Sequence, residues 1–375
     1  MIRIKISENF EETVAKIKVI GIGGGGGNAV NRMIEERFDG VTFISANTDA
    51  QVLRLSKAPI KIQLGEKLTE GKGAGGSPDM GARAAEESRE IIKEELLNTD
   101  LLFITAGMGG GTGTGAAPII AEIAKSMNIL TVAIVTKPFN FEGPVRMRQA
   151  ENGLKELRSK VDTIITIPNE RLVDICEKDT GMKYAFLLAD QILHRAVQSI
   201  SDVITTKGEI NVDFADVKGI MTTAGDAIMG MGQAKGENAV DAALQQALNS
   251  PLLDNLSING ANRGVLVNIT GSSRLPLTEA KETMDKLREQ LGHEAHVFFG
   301  FVIDENLQDE VKLTLIATGL TNRRTIRHLT PDEMKQRNHL ASKSYIQEPT
   351  AYVKPSTLNK GDIFRPAALR KKKNT

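Results

Sequence analysis

Three glycine-rich stretches carry the strongest chemical signal in this sequence. Residues 21–28 read GIGGGGGN, residues 107–115 read GMGGGTGTG, and residues 71–78 read GKGAGGSP. Glycine tolerates positive φ and lets backbone N–H groups approach a ligand closely. The first two stretches lie between an apolar run and a helical pattern, and a helix start adds unpaired N–H donors and partial positive charge. The chemistry so favoured is anion binding, with phosphate as the natural occupant, and Thr112 and Thr114 add hydroxyl donors. No stretch contains G-x-x-x-x-G-K-[ST], so the charge of a phosphate would fall to amides, a metal ion and an arginine rather than to a P-loop lysine. A dinucleotide reading explains the first stretch but leaves GMGGGTGTG without a purpose. It also needs an acid for the ribose, and Asp49 stands farther from Gly21 than the usual spacing of about 20 residues.

A second group of residues could act on water. Asp213 and Asp216 stand three apart on a segment leading into a helix. Two carboxylates so placed could polarise an attacking water and help position a cation. The plainer alternative for Asp213 is an N-cap, accepting from backbone N–H groups of the helix it precedes.

The elements that must position these residues are legible as apolar runs. Ile17–Ile22, Val41–Ala46, Leu101–Ala106, Ile129–Thr136 and Thr163–Ile167 read as strands, with helices over Asn28–Glu36, Asp79–Leu97 and Thr114–Met127. Alternating strands and helices predict a parallel sheet covered on both faces. Glycine stretches at the carboxyl ends of its strands would then converge on one crevice. Lys183 to Thr205 is apolar around most of its circumference, as expected of a central helix. Beyond it, Gly219–Gly232 reads as strand-like, Glu237–Asn249 and Leu277–Leu291 as helices, and Gly264–Thr270, Ala295–Ile303 and Val311–Thr318 as strands. That pattern predicts a second, smaller α/β domain of mixed sheet.

Composition narrows the classes of function. The 47 basic and 47 acidic residues cancel, against a chain whose main task is coating nucleic acid. The one cysteine, Cys176, excludes an intramolecular disulfide framework and a cysteine-rich zinc site, and suits a reducing compartment. No run approaches the roughly 20 apolar residues that span a bilayer, and the charged N-terminus lacks a signal-peptide core. A cytoplasmic protein is the expectation.

GGGTGTG, with a glycine stretch before it, resembles the signature of the tubulin superfamily. Asn47-Thr48-Asp49, residues 136–143 (TKPFNFEG), Ile167-Pro168-Asn169 and residues 211–217 (NVDFADV) sharpen the match. From about Ile17 to Gly319 the chain is similar to the FtsZ family of tubulin-like division GTPases. That resemblance implies a GTPase, using GTP, GDP and Mg²⁺, that assembles head to tail at the midcell division ring beneath the inner membrane. It implies a GTP-binding domain over 17–182, a central helix over 183–206 and an assembly domain over 207–320. Residues 1–16 would be peripheral, 321–360 a flexible linker and 361–375 a tip that docks on membrane-anchoring adaptors and regulators. Residues 362–373 (DIFRPAALRKKK) depart from the usual tip by the order of their apolar and proline positions, which leaves the adaptor open.

Carried over by motif, Gly24, Gly25, Gly26, Gly27 and Asn28 would meet the nucleotide phosphates, and Gly111, Thr112 and Gly113 would hold the β- and γ-phosphates. Glu142 and Arg146 would meet the ribose and its surroundings, though a surface ion pair is the ordinary reading of such residues. Asn169, Phe186 and Asp190 would form the guanine side, where core packing is the ordinary reading of Phe186. Asp213 and Asp216 would be catalytic, with Mg²⁺ bound mainly through the phosphates. From Asp190 to Thr205 a helix rises about 22 Å at 1.5 Å per residue. One nucleotide therefore cannot easily touch Asp190 and Asp216 of the same subunit. If both act on GTP, the aspartates come from a neighbour. A scaffold that binds guanine nucleotide without hydrolysing it is the competing function, but it has no chemical need for both aspartates.

Overall fold

The computed structural model describes residues 15–38, 40–174, 176, 181–205, 212–253, 261–291 and 296–320. The expected N-terminal segment, linker and docking tip lie outside these residues, apart from Ala15 and Lys16.

The first half is a parallel sheet of β1 (Ile17–Ile22), β2 (Val41–Asn47), β3 (Ile60–Gln63), β4 (Leu101–Gly107), β5 (Leu130–Lys137) and β6 (Thr163–Pro168). Their order is β3-β2-β1-β4-β5-β6. Strands β1, β4 and β5 are buried along almost their whole length, which is why they read as unbroken apolar runs rather than alternating ones. One face is covered by α1 (Gly23–Glu35), the other by α4 (Pro78–Glu87), α5 (Arg89–Glu95), α6 (Thr112–Ser126) and α7 (Pro144–Arg158). Two short helices, α2 (Ala50–Leu55) and α3 (Glu66–Thr69), flank β3.

The long helix expected over Asp79–Leu97 is two helices. Ser88 interrupts it, because its hydroxyl accepts from Gly65 N at 3.0 Å and so ties the break to the end of β3. The sequence pattern does not predict β3 or α7: β3 is only four residues long, and α7 is largely polar.

After the short α8 (Glu170–Val173) comes α9 (Met182–Thr205), the central helix. Leu188, Ile192, Leu193, Ala196, Val197, Ile200 and Val203 bury its apolar faces between the two halves of the molecule. The second half contains α10 (Phe214–Met221), β7 (Gly225–Lys235), α11 (Ala239–Leu248), β8 (Ala261–Gly271), α12 (Leu277–Leu291), β9 (Val297–Ile303) and β10 (Glu310–Leu320). The stretch that reads as one strand-like run over Gly219–Gly232 is the end of α10, a turn and most of β7. β7 and β8 flank β10 antiparallel, while β9 runs parallel to β8, so this sheet is mixed as expected.

The two sheets are not separate. β7 pairs parallel with β6 through Thr163↔Gly225, Ile164↔Asp226 and Ile165↔Ala227, giving one ten-stranded sheet. Across the same junction Arg158 Nε lies 2.8 Å from Asp226 Oδ1. Ser199 Oγ on α9 and Thr314 Oγ1 on β10 are 2.9 Å apart, fastening the central helix to the second sheet.

Candidate functional site

The chain leaves β1 and β4 in opposite lateral directions, β1 toward β2 and β4 toward β5. This topological switch opens a crevice at their carboxyl ends, the usual ligand position in such sheets. A cavity of about 430 Å³ lies there, walled by α1, α6 and the pocket end of α9.

The glycine stretches do not form free loops above the sheet. α1 begins at Gly23 and α6 at Thr112, so Gly23–Gly27 and Thr112–Gly113 are first helical turns. Neither helix has a side-chain cap or an acidic residue in its first turn. By contrast, α2 and α4 are capped by Asp49 and Ser77. Two uncapped helix starts thus face one cavity, with their orphan N–H groups and positive ends directed at the same volume. Asp49, whose carboxylate accepts from Gln51 N and Val52 N, caps α2 and does not line the cavity.

Gly24, Gly25 and Asn28 line the cavity, as do Gly111, Thr112 and Gly113. Gly26 and Gly27 do not line it; both face inward and are buried. A Cβ on Gly26 would sit 2.3 Å from the Thr105 carbonyl oxygen, so this glycine lets α1 press against β4. The third glycine stretch also stays outside the cavity. It packs behind Gly111, where an added Cβ would meet Ala74 Cβ and Ser77 N at 2.9 Å. It braces the second stretch rather than lining the cavity.

Thr112 has a partner that sequence reasoning missed. Its hydroxyl lies 2.6 Å from that of Thr48, a fully buried residue at the end of β2. If Thr48 donates, the Thr112 proton is left to point into the cavity. Met108, Thr136 and Pro138 also line the cavity. They fall within the GMGGGTGTG and TKPFNFEG stretches, at the ends of β4 and β5, but carry no individual signal in the sequence.

Glu142 and Arg146 face the cavity and pair with each other at 2.6 Å. The ordinary ion pair is therefore present, but on the wall of the crevice. The other Glu142 oxygen accepts from Phe139 N at 2.9 Å, which fixes the carboxylate. Phe186 is not core packing: it is 42% exposed and meets the buried Phe139 ring edge-on, with centroids 5.3 Å apart. Such a half-exposed ring offers a flat apolar surface to a planar ligand. Asn169 is buried beside it, and its Oδ1 has no hydrogen-bond partner. A buried amide oxygen without a partner is costly unless a ligand supplies the donor. Asp190 completes this wall, its carboxyl pushed up to about 7 by burial against a smaller opposing pull from Arg32.

Asp213 and Asp216 are not part of this cavity. Asp213 holds the N-cap position of α10, yet its side chain makes no capping bond. The side-chain capping bond of the N-cap alternative is therefore absent, and only the Asp213 backbone carbonyl accepts, from Asp216 N at 3.0 Å. Both residues are exposed and lie past the far end of α9 from Asp190.

Known proteins share this fold. The family profile described as the Tubulin/FtsZ family, GTPase domain, matches residues 16–177. The profile described as the FtsZ family, C-terminal domain, matches residues 225–321. An empty FtsZ dimer from M. jannaschii is 45% identical, with a TM-score of 0.80 over 84% of this chain and 90% of that one. An FtsZ mutant from the same organism is 46% identical, with a TM-score of 0.79 over 83% of this chain and 93% of that one. CetZ2 from Haloferax volcanii, described as a GTPγS-bound protofilament, shares the fold at 19% identity, with a TM-score of 0.69 over 88% of this chain and 99% of that one. Fold and site together define a tubulin-like GTPase. Within that class, the chain belongs to the FtsZ family.

Proposed function

We propose that this GTPase assembles head to tail and hydrolyses GTP at the junction between subunits, as part of a cell-division ring beneath the membrane. Residues 17–182 bind the nucleotide, 183–206 form the connecting helix and 207–320 contact the next subunit. The phosphates lie against the first turns of α1 and α6, with Gly24, Gly25, Asn28, Gly111, Thr112 and Gly113 as their contacts. Glu142 and Arg146 face the ribose. Guanine lies on Phe186 with Asn169 and Asp190 at its polar edge.

Mg²⁺ would take its ligands mainly from phosphate oxygens and water, in keeping with its habit of retaining several waters. Among the described residues no group of three or more His, Cys, Asp or Glu side chains could hold a metal ion alone. When bound, the ion would offset charge developing on the phosphates. Asp213 and Asp216 of the adjoining subunit would orient the attacking water and accept its proton.

The observation that carries this reading is the distance between the two halves of the chemistry. The cavity sits at one end of the 24-residue α9 and the two uncommitted aspartates lie past the other. Next in sequence to the lining residues Glu142 and Arg146, and one turn before Phe186, the residues Phe141, Val145 and Met182 are 58%, 64% and 62% exposed, apolar side chains suited to being covered by another copy. The FtsZ of M. jannaschii that this chain resembles is described as a dimer.

Mixing two variants tests the shared site. Thr112→Ala weakens the nucleotide side and keeps both aspartates, while Asp216→Ala keeps the cavity and lacks one aspartate. Phosphate release by the mixture should exceed the sum of the two alone, once co-assembly is confirmed by light scattering. Confirmed co-assembly with no gain would count against the shared site, and full turnover by dilute, unassembled wild type would exclude it.

A further inference from the structure

α1 and α9 pack side by side, and both lead away from the cavity. Their register is set where His194 Nδ1 comes within 2.7 Å of Glu36 Oε2. One step of four residues back along each helix, about 6 Å, sets Arg32 against Asp190. A further step sets Asn28 against Phe186. Asn28, Phe186 and Asp190 all line the cavity, so Arg32 stands immediately behind its base side.

Arg32 is held there. Its side chain is 18% exposed, and its Nε lies 3.0 Å from Glu36 Oε1 without the geometry of a hydrogen bond. Glu36 itself is kept below the usual carboxylate range, chiefly by its hydrogen bond with His194. Arg32 is the charged group whose field acts on Asp190, drawing the carboxyl down while burial pushes it up. Other nearby charges are engaged elsewhere. Arg146 pairs with Glu142 on the facing wall, and Lys137 at the end of β5 pairs with Glu151. On α8, Glu170 accepts from Asn140 N and Arg171 lies 3.9 Å from Asp174. On α9, Lys183 is exposed, while Arg195 acts on Glu36 and on Lys312 of β10.

The protonation of Asp190 has a direct chemical meaning. Guanine presents two donors, N1–H and N2–H, and an ionised carboxylate accepts both. A protonated carboxyl offers one donor and one acceptor, the complement of adenine N1 and N6–H. We propose that Arg32, braced by Glu36 and His194, is the positioning residue that keeps Asp190 an acceptor and so makes the pocket select guanine over adenine. This rests on the reading of Asp190 as a base-side residue.

The test is competition of GTP and ATP against a fluorescent GDP on the full chain between pH 6 and 9. Wild type should lose GTP affinity and narrow its GTP-to-ATP preference as pH falls through 7, because a proton then replaces an acceptor with a donor. Arg32→Gln should move that midpoint up by about one pH unit, which at pH 7 cuts the ionised fraction and with it GTP affinity about fivefold, with recovery at pH 9. Arg32→Lys, which keeps the charge, should stay close to wild type. Arg32→Met, uncharged and of similar length, should move the midpoint the same way, which supplies a second arm should Arg32→Gln melt early. A midpoint and preference that coincide with wild type in a folded variant lacking the Arg32 charge overturn the role of Arg32. Asp190→Ala separates the two readings: unchanged GTP affinity there overturns the base-side assignment itself.

Discussion

At the scale of single residues, the phosphate side rests on groups whose removal has distinct signatures. Thr112 holds the hydroxyl that can point into the cavity, oriented by buried Thr48. Thr112→Ala should weaken GTP binding by about 1.5–3 kcal/mol, the contribution of a hydrogen bond to a charged group, as measured by titration calorimetry. Unchanged affinity would remove Thr112 from the phosphate site. Gly26 predicts a different failure. Gly26→Ala places a methyl 2.3 Å from the Thr105 carbonyl oxygen, a backbone atom that cannot swing aside. The variant should lose about 1–3 kcal/mol of stability through overpacking, read as a lowered melting temperature without nucleotide. The motif assigns Gly24 through Gly27 one common role. Only three-dimensional packing separates the pair that lines the cavity from the pair that faces the sheet, because four identical residues carry no side chain to mark their orientation.

Among the elements, α9 is the one on which the rest depends. Ile192 is fully buried between the two sheets. Ile192→Ala should cost about 2–5 kcal/mol, measured by urea denaturation, and should destabilise both halves together because both pack on this helix. A transition that splits into two, with the first half unaffected, would show that α9 belongs to the second half alone. Buried strands and this helix are legible because a continuous apolar run must be taken out of water, and only a buried element does that. β3 and α7 are not, since four residues are too short a window and α7 sets a mainly polar face to solvent. The break at Ser88 depends on a contact with Gly65, distant in sequence, and no local pattern announces it. The junction of β6 with β7 is hidden for the same reason, being three residue pairs between segments some sixty positions apart. In the site, the helix starts are legible as glycine stretches after apolar runs, while Asn169, Phe186 and Asp190 enter only through the family resemblance. The Glu36–His194 brace is not, because it depends on the register of two helices that no motif links.

For the whole molecule, the decisive property is how turnover depends on concentration. If the aspartates of one subunit serve the nucleotide of the next, phosphate release per subunit should rise steeply above the concentration at which light scattering appears. Below it, GTP should bind and persist. A rate per subunit that stays flat across that threshold would show a complete site within each chain.

The placement of cavity and aspartates at opposite ends of α9 has one more consequence, given the proposed stacking. A row of such subunits has a built-in arrow. The subunit at one tip has an open cavity and no neighbour to orient water on its triphosphate, so the newest fuel there is always intact. The subunit at the other tip offers its carboxylates to empty water. Each arrival therefore arms the nucleotide of the subunit it lands on and leaves another in reserve. The age of the nucleotide along the row becomes a record of the order in which the subunits came.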